Sequence, residues 1–149
     1  MARHNPYGLS EHLKPGICYI YALCEPGTLE VRYVGKAEVS VLDRWQGHMG
    51  AARRGVENPV SRWIAEWQKA GKEPTPIMLT ECPNNMKRQV ERAWVELFVD
   101  NGYNLLNVQL NSVQRPKQRD ITDGFRWRWV EAFGPSSVRF LNGDHEAGK

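Results

Sequence analysis

Cysteine is scarce in this chain, and the three present, Cys18, Cys24 and Cys82, include no CxxC spacing. An odd, unpaired set argues against a zinc site or a disulfide framework and suits a reducing cytosol. No apolar run approaches the roughly 20 residues that span a bilayer, so no membrane partner is expected. The stretch from Met1 to Gly16 is polar, carries His4, His12 and Lys14, and lacks the apolar core of a signal peptide. Charge of one sign is not in large excess either. Twenty Lys and Arg stand against 17 Asp and Glu, a formal +3. That balance is compatible with a phosphate-bearing partner but is shared by many enzymes. Internal repeats and low-complexity segments are also lacking.

What remains is ordinary globular composition: 149 residues, 41% hydrophobic and 25% charged, enough for one modest core. Ile17 to Cys24 is an apolar, aromatic-rich run that reads as a strand buried on both faces. Pro26-Gly27 marks a turn, and Leu29 to Lys36 reads as the second strand of an antiparallel hairpin. Period two places Tyr19, Tyr21 and Leu23 on one face, and Val31, Tyr33 and Gly35 on one face of the partner. With the right register, Tyr21 and Tyr33 lie side by side.

A helix is predicted over Val41 to Arg54, with Ser40 as N-cap, Gly55 past its end and Leu42, Trp45, Met49 and Ala52 inward. Arg44 and His48 stand one turn apart beside that stripe. Asn58-Pro59 opens a second helix whose buried stripe is Val60, Trp63, Ile64 and Trp67, ended by Gly71. Pro76 to Glu81 reads as a third strand. Met86 to Asp100 reads as a helix with Met86, Val90, Ala93, Trp94, Leu97 and Phe98 inward, closed by Asn101-Gly102. The helical spacing of Trp45, Trp63, Trp67 and Trp94 suggests burial.

The order β-β-α-α-β-α, with a hairpin in it, predicts an α+β domain: a three-stranded antiparallel sheet flanked by helices. The chain divides into a polar segment (1–15), a main domain (16–108) and a basic, aromatic extension (109–149). In the extension, Arg115-Pro116-Lys117 reads as a linker or arm. Thr122 to Phe133 reads as a short helix, although Phe125, Trp127 and Trp129 also alternate like a strand.

Several residues ask for more than a folding role. Tyr21 and Tyr33 sit on adjacent strands, Arg44 and His48 share a helix face, and Glu91 edges an otherwise apolar helix face. One carboxylate suits a hard cation such as Mg²⁺, which takes one or two protein carboxylates and keeps several waters. An arginine offers a planar fork to a phosphate oxygen, and a phenol or imidazole can take a proton from water. Singly, each residue also has an ordinary structural reading: strand tyrosines pack, and helix Arg, Glu and His face solvent.

Their joint spacing resembles the GIY-YIG nuclease superfamily. Tyr19-Ile20-Tyr21, eleven residues, then Tyr33-Val34-Gly35 is similar to the two elements that name the family, with Tyr19 in place of the first glycine. Lys36 continues that second element, and Leu42-Asp43-Arg44 with His48 resembles the arginine-bearing helix that follows it. Glu91 precedes Trp94-Val95 as the family's glutamate precedes its Trp-Ile pair, and Leu106-Asn107 resembles the closing Leu-Asn. Asn104 is an alternative to Asn107, which is preferred on spacing. The likeness covers about residues 16 to 108.

The resemblance implies a GIY-YIG-like fold and hydrolysis of DNA phosphodiester bonds by water, in a phage- or homing-endonuclease-like stand-alone domain. It implies a cytoplasmic setting, in a bacterial or phage-infected cell. Glu91 binds one Mg²⁺ or Mn²⁺, and no small-molecule cofactor is implied. Tyr21 is the preferred general base, with His48 or Tyr33 orienting or relaying, and Arg44, Lys36 and the metal are the means to lower its pKa. Arg44 stabilises the pentacovalent phosphate, and Asn107 holds the site by hydrogen bonds. Lys36, Arg53, Arg54, Lys69, Lys72 and the arm residues Arg115, Lys117 and Arg119 are candidate DNA contacts. Arg126-Trp127-Arg128-Trp129 is read as a packing helix or as a stacking element at DNA. The competing expectation is a non-catalytic DNA-binding or protein-interaction module on the same fold.

Overall fold

The computed structural model describes residues 5–9, 11, 14–107 and 123–133. The elements run β1 (Ile17–Cys24), β2 (Val31–Ala37), α1 (Val41–Arg53), α2 (Pro59–Lys69), β3 (Thr75–Pro83), a 3₁₀ turn (Asn84–Met86), α3 (Lys87–Asp100) and α4 (Asp123–Phe133). The fold is α+β. A three-stranded sheet of order β2-β1-β3 pairs antiparallel throughout.

The apolar run of β1 is explained by its central place, since both faces of that strand are covered. Cys18, Ile20, Ala22 and Cys24 join one core with Phe98 of α3, Tyr103, and Phe125 and Trp129 of α4. Tyr21 and Leu23 point the other way, into a core with Val41, Leu42, Trp45 and Ile64 of α1 and α2. The sheet is therefore a middle layer between two sets of helices.

Caps fix where the helices begin. The Asp43 amide donates to Ser40 Oγ at 2.9 Å, and the Ser61 amide to Asn58 Oδ1 at 2.8 Å, with Pro59 supplying the first-turn φ of α2. At the end of α1, Gly55 adopts φ +74°, the left-handed conformation that lets the last carbonyls be capped.

Three expectations need correction. First, Val31 does not share a face with Tyr33. A bulge between Leu23 and Cys24 pairs Cys24 with Val31 and skips Arg32, turning Val31 toward the α3 side. Second, α3 starts at Lys87 and leaves Met86 and Ala93 exposed. Its packed face holds Val90, Trp94, Val95, Leu97 and Phe98, so it is rotated toward position 91 relative to the expected stripe. Third, Trp63, Trp67 and Trp94 are only half-buried, whereas Trp45 is enclosed. The Arg32 guanidinium lies 5.6 Å from the Trp63 ring centroid and the Lys72 ammonium 6.0 Å from that of Trp67, so cationic side chains cover what the core does not.

The flanking segments take part in the packing. Leu9 is buried with the α1–α2 core, and Tyr7 meets Trp45 edge-on at 5.5 Å. Residues 123–133 form a helix, not a strand. Phe125 and Trp129, four apart, enter the core, while Trp127 is 71% exposed. The arm residues Arg115, Lys117 and Arg119, like His4 and His12, lie outside the described residues. Among the described residues no helix is long and apolar enough to cross a membrane.

Candidate active site

The register of the hairpin decides how the two tyrosines meet. Tyr21 stands opposite Gly35, and Tyr33 opposite Leu23, so the phenols are diagonal neighbours with ring centroids 6.4 Å apart. The Tyr21 ring lies over Gly35. A Cβ at that position would come within 2.5 Å of the Tyr21 hydroxyl and 2.6 Å of its ring carbon Cζ. The glycine is thus what lets a fully buried tyrosine lie flat across the neighbouring strand. Motif position pointed to Gly35; the contact that requires it is visible only in three dimensions.

From α1, His48 reaches across to this pair. Its Nε2 lies 2.8 Å from the Tyr21 hydroxyl, and its ring meets Tyr33 edge-on at 5.3 Å. Arg44, one turn earlier and exposed, approaches the same Nε2 at 3.5 Å and lies close enough to both phenols to favour their ionisation. A guanidinium can only donate, so these partners favour a lone pair on Nε2 and the ring proton on Nδ1. The Tyr21 hydroxyl then donates to His48.

Burial, with Arg44 beside it, lowers the His48 pKa from 6.5 to about 4, so the imidazole is neutral at physiological pH. The phenols move the opposite way. Burial pushes Tyr21 well above its ordinary value, Tyr33 adds to the rise, and Arg44 opposes both. Tyr33 is also raised by burial, again against Arg44. Arg44 acts on Tyr21 in the expected direction, downward, but desolvation outweighs it.

Glu91 enters from α3. The rotation of that helix exposes Ala93 and turns position 91 toward the sheet, about 100° round the axis from Val90. Its carboxylate is half-buried, lies 3.5 Å from Lys36 Nζ of β2, and is close enough to oppose ionisation of Tyr21 and Tyr33. Four elements therefore bring Tyr21, Tyr33, Lys36, Arg44, His48 and Glu91 together. Among the described residues no group of three or more His, Cys, Asp or Glu could hold a metal. A single carboxylate still fits a hard cation that keeps most of its water.

Asn107 sits at the rim with a positioning role. Strand β2 is an edge, and its Val34 amide and carbonyl point away from β1. The Val34 amide donates to Asn107 Oδ1 at 2.8 Å, and Asn107 Nδ2 donates to the Val34 carbonyl at 2.7 Å. The side-chain amide thereby mimics a neighbouring strand and holds the segment between Tyr33 and Gly35. Asn104 instead offers its backbone carbonyl to Arg32 Nε at 2.8 Å. Replacing Asn107 by Ala removes two hydrogen bonds and is expected to destabilise the fold by about 1–2 kcal/mol. It should also speed hydrogen exchange of the Val34 amide. An unchanged exchange rate would show the pairing to be absent in solution.

The remaining cationic candidates separate. Arg54 lines a cavity of about 520 Å³ together with Tyr33, Arg44 and His48. Arg53 faces a different depression, of about 570 Å³, with Trp45 and Lys72. Lys69 is paired with Glu66 at 2.8 Å on the exposed face of α2. Gly47, which also lines the Arg44 cavity, had no signal in the sequence beyond being a glycine inside a helix. Comparison of the chain with protein-family models, with curated proteins and with solved structures returns no match in any of the three.

Proposed function

We propose that this protein is a metal-dependent DNA endonuclease of the GIY-YIG type. The observation that carries the proposal is the convergence of two phenols, an imidazole, a guanidinium and one carboxylate, from two strands and two helices. The Tyr21–His48 contact of 2.8 Å lies at its centre.

In the proposed reaction a water oxygen attacks phosphorus. Tyr21 takes the water's proton on its oxygen as its own hydroxyl proton passes to His48 Nε2. This relay makes a high phenol pKa workable, because the phenolate need not form in advance. Arg44 donates its fork to the phosphate oxygens, where negative charge grows. The phosphorus–oxygen bond to the 3′ carbon side breaks, and that oxygen leaves with a proton from solvent. Glu91 would hold Mg²⁺ or Mn²⁺, which when bound neutralises charge at the phosphate and at the leaving oxygen. Lys36 orients the Glu91 carboxylate and adds positive charge beside the DNA.

Incubation with supercoiled, linear and branched DNA, with and without Mg²⁺, tests the proposal. The wild-type chain is expected to nick DNA only with the ion present. Glu91→Ala should lower nicking by about 10² or more while the circular dichroism spectrum stays native. Full activity of Glu91→Ala, or no cleavage of any substrate by the wild type, overturns the assignment. The second result would leave the non-catalytic module as the reading of the fold.

A further inference from the structure

The cavity beside the reactive groups is one-sided in charge. Arg44 and Arg54 stand in its wall, and among the described residues no carboxylate lines it. Tyr33, Arg44 and His48 mark one end, and the Arg54 backbone lies six residues beyond His48, about 9 Å of helical rise. The first turn of α2 forms the opposite wall. At about 520 Å³ the space is on the scale of a small-molecule site, or of one nucleotide.

Gly47 lies in this cavity between Arg44 and His48, in the middle of α1. It is exposed and does not adopt a positive φ, and a Cβ built on it would meet nothing within 4 Å. Nothing in the fold demands glycine there, yet glycine is among the poorest residues for a helix interior. Gly50 differs, since a Cβ there would lie 3.1 Å from Arg54 Nη1. The Arg54 guanidinium is thus folded back along α1 over Gly50, toward the reactive end. Gly47 leaves the cavity open, and Gly50, outside its lining, makes room for the Arg54 guanidinium that stands in its wall.

We infer that this cavity seats the nucleotide adjacent to the scissile phosphate. Gly47 and Ala51 allow close approach of the DNA strand, and Arg54 contacts the neighbouring phosphate. The inference rests on the nuclease reading for the identity of the strand and adds where that strand lies.

The test compares wild type, Gly47→Ala and Gly47→Leu. A fluorescein-labelled duplex oligonucleotide reports binding by anisotropy without divalent ions, and plasmid nicking is followed with Mg²⁺. Gly47→Ala is expected to raise Tm by about 2–4 °C, because it removes a helix glycine from open space. Gly47→Leu should keep a native fold, weaken binding by about tenfold or more, and cut nicking by about 10². A Gly47→Leu chain that binds and cuts like wild type overturns the inference and leaves the nuclease proposal standing. Binding that is lost in Gly47→Leu, with no cleavage by either chain, supports the seat and overturns the nuclease. A wild type that does not bind the duplex overturns both.

Discussion

Arg44→Ala is expected to lower DNA cleavage by about 10²–10³-fold while leaving the fold intact. The side chain is exposed, so truncation opens no cavity in the core. Its guanidinium approaches His48 Nε2 and acts electrostatically on both phenols, and in the proposed chemistry it is the fixed positive charge that meets the phosphate. Arg44→Lys should not restore the rate, because a point charge cannot contact a phosphate and two phenols with one planar fork. Cleavage by Arg44→Ala at the wild-type rate would remove the basis for the proposed chemistry.

The same substitution has a consequence for His48. Burial is the larger cause of its low pKa and Arg44 the smaller, so Arg44→Ala should raise the value only part of the way from about 4 toward 6.5. A folded pKa below the unfolded one means that the unfolded chain binds the extra proton first. Stability from this group is therefore complete above pH 6.5 and lost as pH falls through about 4. The shift corresponds to at most about 3 kcal/mol. NMR titration of the imidazole reads the pKa directly, and denaturant unfolding across that window reads the stability. In the wild type the acid limb of kcat/KM should fall near pH 4, where His48 loses its lone pair, and not near 6.5.

Gly35→Ala is the second large effect, and its sign is opposite to that of Gly47→Ala. The added methyl would stand 2.5 Å from the Tyr21 hydroxyl and 2.6 Å from Cζ, closer than non-bonded carbons approach. Tyr21 is fully buried and held by His48, so its ring cannot swing into solvent to relieve the contact. Either the ring tilts off His48 or β2 shifts from β1. Overpacking of this kind costs about 1–3 kcal/mol. A displaced general base lowers cleavage by about 10². Thermal unfolding together with plasmid nicking checks both. An unchanged Tm would show that the ring does not lie over Gly35 in solution.

Much of the architecture is legible in local pattern. The unbroken apolar run of β1 announces a strand covered on both faces, and that is where it lies. Ser40 and Asn58 act as the N-caps their side chains suggest, because capping is decided within three residues. The candidate site is legible differently. Arg44 and His48 are one turn apart on a helix, so their proximity follows from period alone. The approach of Glu91 from α3 does not, since it depends on how far that helix is rotated on the sheet.

The sequence by itself determined the order of strands and helices through α3, the caps, and the residue types offered to the site, because each follows from interactions within a turn or a strand. Tertiary structure decided the rest. It set the bulge that turns Val31 away from Tyr33, the rotation that exposes Ala93, and the docking of Phe125 and Trp129 into a core otherwise built from residues far earlier in the chain. It also decided the protonation of the site. Burial keeps His48 neutral and raises the Tyr21 pKa, against the direction in which Arg44 pulls it. Register, helix rotation and desolvation are set by contacts between segments distant in the chain, and local pattern carries no record of them.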